Sequence, residues 1–164
     1  MASRPSKKCA ELDPSRFNKS IQLVSFRVGS EDFVIDVHQV QEILRMVEIT
    51  DAPRTRSFVS GVINLRGKIV PVVDLRQRFE LAQKRADEST RIVVVDVDGH
   101  VMGLVVDSVT EVIRLPLKAI EPPPEQWVSA ATDFVKGVAS MEGDPLIYLD
   151  LKNTLEISEP VSVA

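Results

Sequence analysis

The chain repeats itself, and a repeat constrains a fold more tightly than any local propensity because one architecture has to be built twice. LVSFRV at Leu23–Val28 matches IVVVDV at Ile92–Val97, 69 residues later. At the same offset Ile35 meets Leu104, Val37 meets Val106, and the segment Val40-Gln-Glu42-Ile43 meets Val109-Thr-Glu111-Val112. Further on, FVSGVINLRGKIVPVVDL at Phe58–Leu75 lies over FVKGVASMEGDPLIYLDL at Phe134–Leu151, 76 residues later. The growth of the offset places seven extra residues in the second half, within KAIEPPPEQWVSAATD and its three prolines, Pro122, Pro123 and Pro124.

Each unit reads as short strands. LVSFRV and IVVVDV are rich in β-branched or aromatic residues, with FVIDV and VMGLVV as partners, and Asp98-Gly99 has the positive-φ preference of a tight hairpin. A second hairpin follows in each half. VINL and KIVPVV flank Arg66-Gly67, and VASM and PLIYL flank Glu142-Gly143-Asp144. The V-x-E-[IV] segments fit either one helical turn or a strand bend. Four or five short strands in about 65 residues make a poor flat sheet with two open edges, so each unit is expected to curl into a small barrel. Pro71 cannot donate a ladder hydrogen bond and belongs on an edge or at a barrel corner. Leu75–Ser89 carries helix-favouring residues and then turns polar, as a surface helix or linker between the units. Units of this size are marginal alone, so they should share an apolar interface, with a groove between them as a binding site.

Composition narrows the function. At 164 residues the chain suits one domain or two small ones fused, and 44% hydrophobic with 27% charged residues is a globular composition. A net charge of −4 argues against nucleic acid, whose phosphates demand a basic surface. One cysteine allows no internal disulfide or cysteine-based zinc cage, and two histidines, His38 and His100, leave little for a metal site. No metal or cofactor is expected. Phosphate-loop, dinucleotide, zinc-protease and nucleophile-elbow motifs are absent from the sequence. Asp96-Val-Asp98-Gly99 lacks the ligand spacing of a calcium loop and reads as a turn. The opening residues 1–18, which include Cys9, are polar and read as a flexible arm with neither a signal peptide nor a membrane span. The expected compartment is the cytoplasm.

The repeats diverge at their tips. Arg66-Gly67-Lys68 in the first hairpin becomes Glu142-Gly143-Asp144 in the second. Drift of a solvated turn and recognition of different partners both fit this contrast, and Arg66 can offer a planar fork to a carboxylate or carbonyl. Val40 and Glu42 fit either core packing with a solvated carboxylate or the wall of a recognition groove.

GVINLRGKIVPVVDLRQRF at Gly61–Phe79, with VQEIL at Val40–Leu44 and VVDSVTEVIRL at Val105–Leu115, resembles the CheW family of bacterial chemotaxis adaptors over roughly Ile21–Leu155. The resemblance implies a mainly β fold of two tandem SH3-like five-stranded barrels, with a short helix between them and a short C-terminal helix. The domain would run over about 19–155, the first barrel over about 19–86 and the second over about 87–155, with exchange of terminal strands between barrels allowed and a tail at 156–164. It implies a non-catalytic adaptor that couples the cytoplasmic tips of methyl-accepting chemotaxis receptors to the regulatory domain of the histidine kinase CheA, without entering the membrane itself. Such a protein is recruited to receptor arrays at the inner face of the membrane and meets further copies in rings. Val40 and Glu42 match the family's receptor-facing segment, and Arg66 matches its NLRG arginine. The resemblance points to no particular kinase-contact residues in this chain. Relatives often place Lys before the glycine at 61; this chain has Ser60 there and Lys136 in the second unit. An adaptor of the same fold in a non-flagellar pathway, and more remotely a small-ligand carrier or carboxylate enzyme using the groove, are the other readings.

Overall fold

A computed structural model describes residues 19–51, 59–124, 134–141 and 144–155. The arm with Cys9, the tail at 156–164, and Glu142-Gly143 of the second hairpin tip lie outside the described residues. The strands in chain order are β1 (Ser20–Val28), β2 (Glu31–Asp36), β3 (Val40–Arg45), β4 (Val59–Leu65), β5 (Lys68–Asp74), β6 (Arg91–Val97), β7 (His100–Val106), β8 (Ser108–Pro116), β9 (Ile120–Glu121), β10 (Val135–Met141) and β11 (Asp144–Leu149). Two single-turn helices, α1 (Leu75–Arg78) and α2 (Leu151–Thr154), follow β5 and β11.

Two sheets form, and neither belongs to one half of the chain. The first runs β3-β6-β7-β5-β4 and the second β9-β10-β11-β2-β1-β8. The leading hairpin of each repeat has crossed into the sheet of the other. β6-β7 fills the first sheet and β1-β2 the second. Each crossing hairpin is stitched to its host by one parallel seam, Val72–Asp74 against Gly103–Val105 and Leu146–Tyr148 against Asp32–Val34.

This exchange explains the valine run. In β6, Ile92 and Val94 face the interior of the first barrel with Ile63, Val70 and Val72, while Val93, Val95 and Val97 face a core shared with Phe26, Phe33, Ile35, Leu149 and Leu151. β1 alternates likewise, Leu23 into the second barrel and Val24, Phe26 and Val28 into the shared core. A strand buried on both faces has no polar face to alternate with. Among the described residues seventeen buried side chains form the shared core, against six and five in the barrel interiors. At about 1.5–3 kcal/mol for each fully buried side chain, exposing even half of the shared core would cost as much as or more than the about 5–15 kcal/mol net stability of a domain. The barrels therefore stay together.

Each barrel closes by the same device. After β3 the chain returns to β4, where Thr50 and Val62 exchange backbone hydrogen bonds of 2.9 and 2.8 Å. After β8 it returns through β9, which pairs with Val138 and Ala139 of β10. The second sheet thus has six strands where five were expected, because its closing bridge is long enough to count as a strand. At both closures the repeat carries glycine. A Cβ on Gly61 would stand 2.4 Å from the Thr50 carbonyl oxygen, and one on Gly137 would stand 2.7 Å from the Ile120 side chain. Pro71 lies in an inner strand, not at an edge. Val62, its cross-strand partner, spends its N–H and C=O on Thr50, and the seam to β7 begins one residue later at Val72. No ladder bond is lost there.

The Asp-Leu identity that ends each repeat caps a helix. Asp74 accepts from the Arg76 N–H at 3.0 Å and Asp150 from the Asn153 N–H at 3.3 Å, while Leu75 and Leu151 are buried. Helix α1 stops after four residues, far short of Ser89. Glu80 takes φ +61, and the N–H groups of Leu81 and Glu80 return to the carbonyls of Arg76 and Gln77 in a Schellman motif. Glu80 through Ser89 are then exposed.

One ion pair rivets the halves. Asp107, at the start of the β8 arm, receives Arg76 Nε at 2.8 Å and Nη2 at 2.7 Å, and the Gly29 N–H at the β1–β2 turn at 2.9 Å. Phe26, Phe33, Phe79 and Phe134 stack in series across the same joint, with ring centroids 6.0, 5.2 and 5.6 Å apart. No helix among the described residues is long and apolar enough to cross a membrane.

Two stability measurements check this account. Gly61→Ala forces the barrel closure apart and should destabilise by about 2–4 kcal/mol, within the range of backbone strain and core defects; an unchanged urea midpoint would show that closure does not depend on the close approach. The Arg76 hydrogen bonds hold the Asp107 carboxyl below its usual value, against the opposing effect of burial. Its stabilisation is therefore complete above the unfolded value near pH 4 and is lost as pH falls through the lowered folded value. Asp107→Asn should cost about 1.5–3 kcal/mol at neutral pH and leave a flatter acid-unfolding profile than the parent chain, measured as urea midpoint against pH.

Candidate functional site

The β4–β5 hairpin turns on Arg66 and Gly67, at φ +52 and +85, the positive pair of a type I′ turn. The β6–β7 hairpin does the same with Asp98 and Gly99, at φ +53 and +89. In each, the glycine N–H donates at 2.9 Å to a side-chain oxygen three residues earlier, Asn64 Oδ1 in one and Asp96 Oδ1 in the other. Asp96-Val-Asp98-Gly99 is thus a turn. The first turn residue, however, favours Asn, Asp or Gly, and arginine gains nothing from a left-handed backbone. A side chain held where the backbone disfavours it points to a role for the side chain.

That side chain reaches β3. Arg66 Nη1 and Nη2 donate to the two carboxylate oxygens of Glu42, both at 2.7 Å, a fork-to-fork pair. The Arg66 side chain remains 70% exposed while Glu42 is 25% exposed. The hydrogen bonds from Arg66 hold the Glu42 carboxyl below its ordinary value, and Glu42 raises the guanidinium in turn. So much exposure makes the pair a weak source of stability and an effective means of orienting a guanidinium whose outer face is open to a partner.

The V-x-E-I segment is a strand with a bulge, which settles the choice between helical turn and strand bend. Val40 stands opposite Val95 and Glu42 opposite the next residue, Val94, so Gln41 is the extra residue. Val40 is half-buried against the shared core, as is its repeat mate Val109. Beyond the bulge Ile43 stands opposite Val93, and in the second repeat Val112 stands opposite Val24. Directly opposed residues leave a sheet on one face, so both side chains emerge on the faces that carry the shared core. They are nevertheless 40% and 54% exposed. They mark apolar surface at the margin between the barrels, and Ile69, 64% exposed beside the Arg66 turn, adds to it.

The structure therefore joins Glu42 and Arg66 directly and sets Val40 two residues from Glu42 at the barrel junction. Sequence reading did not select Ile43, Ile69 or Val112 as site residues, although the repeat offset already paired Ile43 with Val112. It also passed over Arg76 and Asp107, which meet only through the fold. Ser60 is taken up by the fold itself, its hydroxyl contacting the Asp74 N–H and Gln77 Oε1, each at 3.3 Å. Lys136, its exposed counterpart, lies over the Tyr148 ring at 5.0 Å. The His38 N–H donates at 2.8 Å to the Asp36 carboxylate that caps a single turn, and His100 Nδ1 lies 3.3 Å from the Val97 carbonyl oxygen. Among the described residues no cluster of three His, Cys, Asp or Glu could hold a metal ion.

Residues 22–159 match the family model of the CheW-like domain. The chain is 36% identical over 138 residues to the chemotaxis protein CheW of Klebsiella aerogenes, covering 84% of this chain and 83% of that one. It is 35% identical over 141 residues to Protein FrzA of Myxococcus xanthus, covering 85% and 88% respectively. Among solved structures it is similar to the scaffolding protein TtCheW of Thermoanaerobacter tengcongensis, with a TM-score of 0.77 and 37% identity over 85% of this chain and 95% of that one.

Because glycine relieves the turn and the lost ion pair is solvated, Arg66→Gly should leave the thermal midpoint unchanged or slightly raised. A drop of several degrees in differential scanning calorimetry would instead make the pair a structural necessity.

Proposed function

The chain belongs to the CheW-like family and is a chemotaxis adaptor and scaffold; from that premise we propose that it couples the cytoplasmic tips of methyl-accepting chemotaxis receptors to the histidine kinase CheA by binding alone, without catalysis. Arg66 carries the reading. A guanidinium placed on a disfavoured backbone, steered by Glu42 and left open to solvent, contributes little to folding and much to recognising carbonyl or carboxylate groups.

A receptor tip is a helical hairpin, and an amphipathic helix docks by laying an apolar face in a groove. The margin between the barrels supplies that groove, with Val40 in its wall and the exposed Ile43 on the same face. Arg66 then fixes the orientation of the bound hairpin. The second barrel offers its surface to the regulatory domain of CheA. We place the protein in the cytoplasm, recruited to receptor arrays at the inner face of the membrane, with further copies meeting in rings. Individual contacts near micromolar, about −8 kcal/mol, suffice, because holding several partners in one lattice raises avidity by roughly 10²–10⁴ without new contacts. Weak contacts also let the lattice remodel.

The likeness to Protein FrzA keeps a second reading, an adaptor of the same fold in a non-flagellar pathway such as twitching motility or surface sensing. The receptor recovered with the protein in a native pull-down separates the two. For the site itself, Arg66→Glu places like charge against Glu42 and removes the fork. Its unfolding midpoint should stay near that of the parent chain, while co-sedimentation with receptor-bearing membranes falls at least tenfold. Recruitment at the parent level would remove Arg66 from the mechanism.

A further inference from the structure

We infer that the two halves of this chain are each other's binding partner, forming a complex that holds without the covalent linker between them. The linker is the exposed run Glu80–Ser89, and no strand or helix lies within it. On one side of it are β1 to β5 and α1, on the other β6 to β11 and α2. Among the described residues four strand pairings cross that divide: β1 with β8, β2 with β11, β3 with β6, and β5 with β7.

Neither half holds a complete barrel. The first half contributes β3, β4 and β5 to one barrel and lends β1 and β2 to the other; the second half does the reverse. Taken alone, each half would expose the inner face of a barrel remnant, three strands in the first half and four in the second, together with a hairpin buried on both faces in the native molecule. All three apolar clusters draw residues from both halves. An interface that is a domain core cut in two is the mark of an obligate complex. Polar contacts cross the divide too, since Arg76 on α1 meets Asp107, and Arg78 Nε donates to the Thr154 carbonyl at 2.7 Å. A cut between Gln83 and Lys84 severs none of the linker's contacts among the described residues: Leu81 N–H to Arg76 and Arg76 Nη1 to the Ala82 carbonyl stay on the first half, and Lys84 with Asp87, Asp87 with Thr90 and Arg91 with the Glu88 carbonyl stay on the second.

Grip on either barrel is therefore grip on both halves. A partner bound to the first barrel touches a sheet two of whose strands come from the second half, so tension between partners on the two barrels runs through strand pairing and shared core rather than through the exposed linker.

The test uses the full chain with a specific-protease recognition sequence inserted between Gln83 and Lys84, folded first and then cut to completion. The two fragments should co-elute in a one-to-one ratio in gel filtration at about 1 μM, a concentration at which a weak complex would part, and retain the far-UV spectrum of the uncut protein. Cutting makes unfolding bimolecular, so the urea midpoint of the cut protein should rise with protein concentration while that of the uncut protein stays fixed. Fragments that separate as folded species, a midpoint independent of concentration, or loss of structure on cutting would each overturn the inference. If the insertion lowers the midpoint before cleavage, the same sequence placed between Arg85 and Ala86 gives the second variant, read by the same three outcomes.

Discussion

The apolar layer between the two barrels is the interaction on which the rest of the structure depends. It exists because each repeat surrenders its first hairpin to the other, which puts β1 and β6 in the middle of the molecule with a barrel interior on one face and the shared core on the other. A small barrel of five short strands has little volume to fill, and the clusters inside the barrels are correspondingly small. Pooling the second faces of the central strands supplies the burial that neither barrel could reach alone. The same arrangement leaves the apolar surface to which the proposed function assigns the receptor, since the margin of the shared layer is where Val40 and Ile43 meet solvent.

Against this rigid background the Arg66 turn stands apart. Identities between the repeats have mechanical roles where the structure describes both mates: Gly61 and Gly137 admit a crossing strand, and Asp74 and Asp150 cap single-turn helices. At Arg66 the repeats differ, and the backbone conformation is one that arginine does not favour. Retained scaffold positions answer to packing, while the position that departs from its mate is free of that demand, which is why the proposed recognition role falls on it. This division suits an adaptor, whose fold must stay fixed wherever its partners bind.

Much of this was legible beforehand. The repeat offsets marked the equivalent hairpins, the glycines and the V-x-E-I segments, and the NLRG run singled out Arg66. Leu75–Ser89 was harder to read because its helix-favouring residues say nothing of the positive φ at Glu80, or of the hydrogen bonds from Glu80 and Leu81, that end the helix after one turn. Pro71 suggested an edge or a barrel corner, since local rules see a missing donor and cannot see that Thr50 has already taken the partner's hydrogen bonds. Arg76 and Asp107 carry no local signal, standing far apart in the chain until the β1–β2 turn and α1 are brought together.

By itself the sequence determined the local geometry and its duplication: which segments extend, where the chain turns on Gly67 and Gly99, and which residues correspond between halves. Those features follow from side-chain sterics and hydrophobic pattern within a few residues. Tertiary structure alone decided which half each hairpin completes. A strand with two apolar faces is content in either sheet as far as its own residues are concerned, and the choice falls to the parallel seams, the Asp107–Arg76 rivet and the shared core, all of them made between residues distant in the chain.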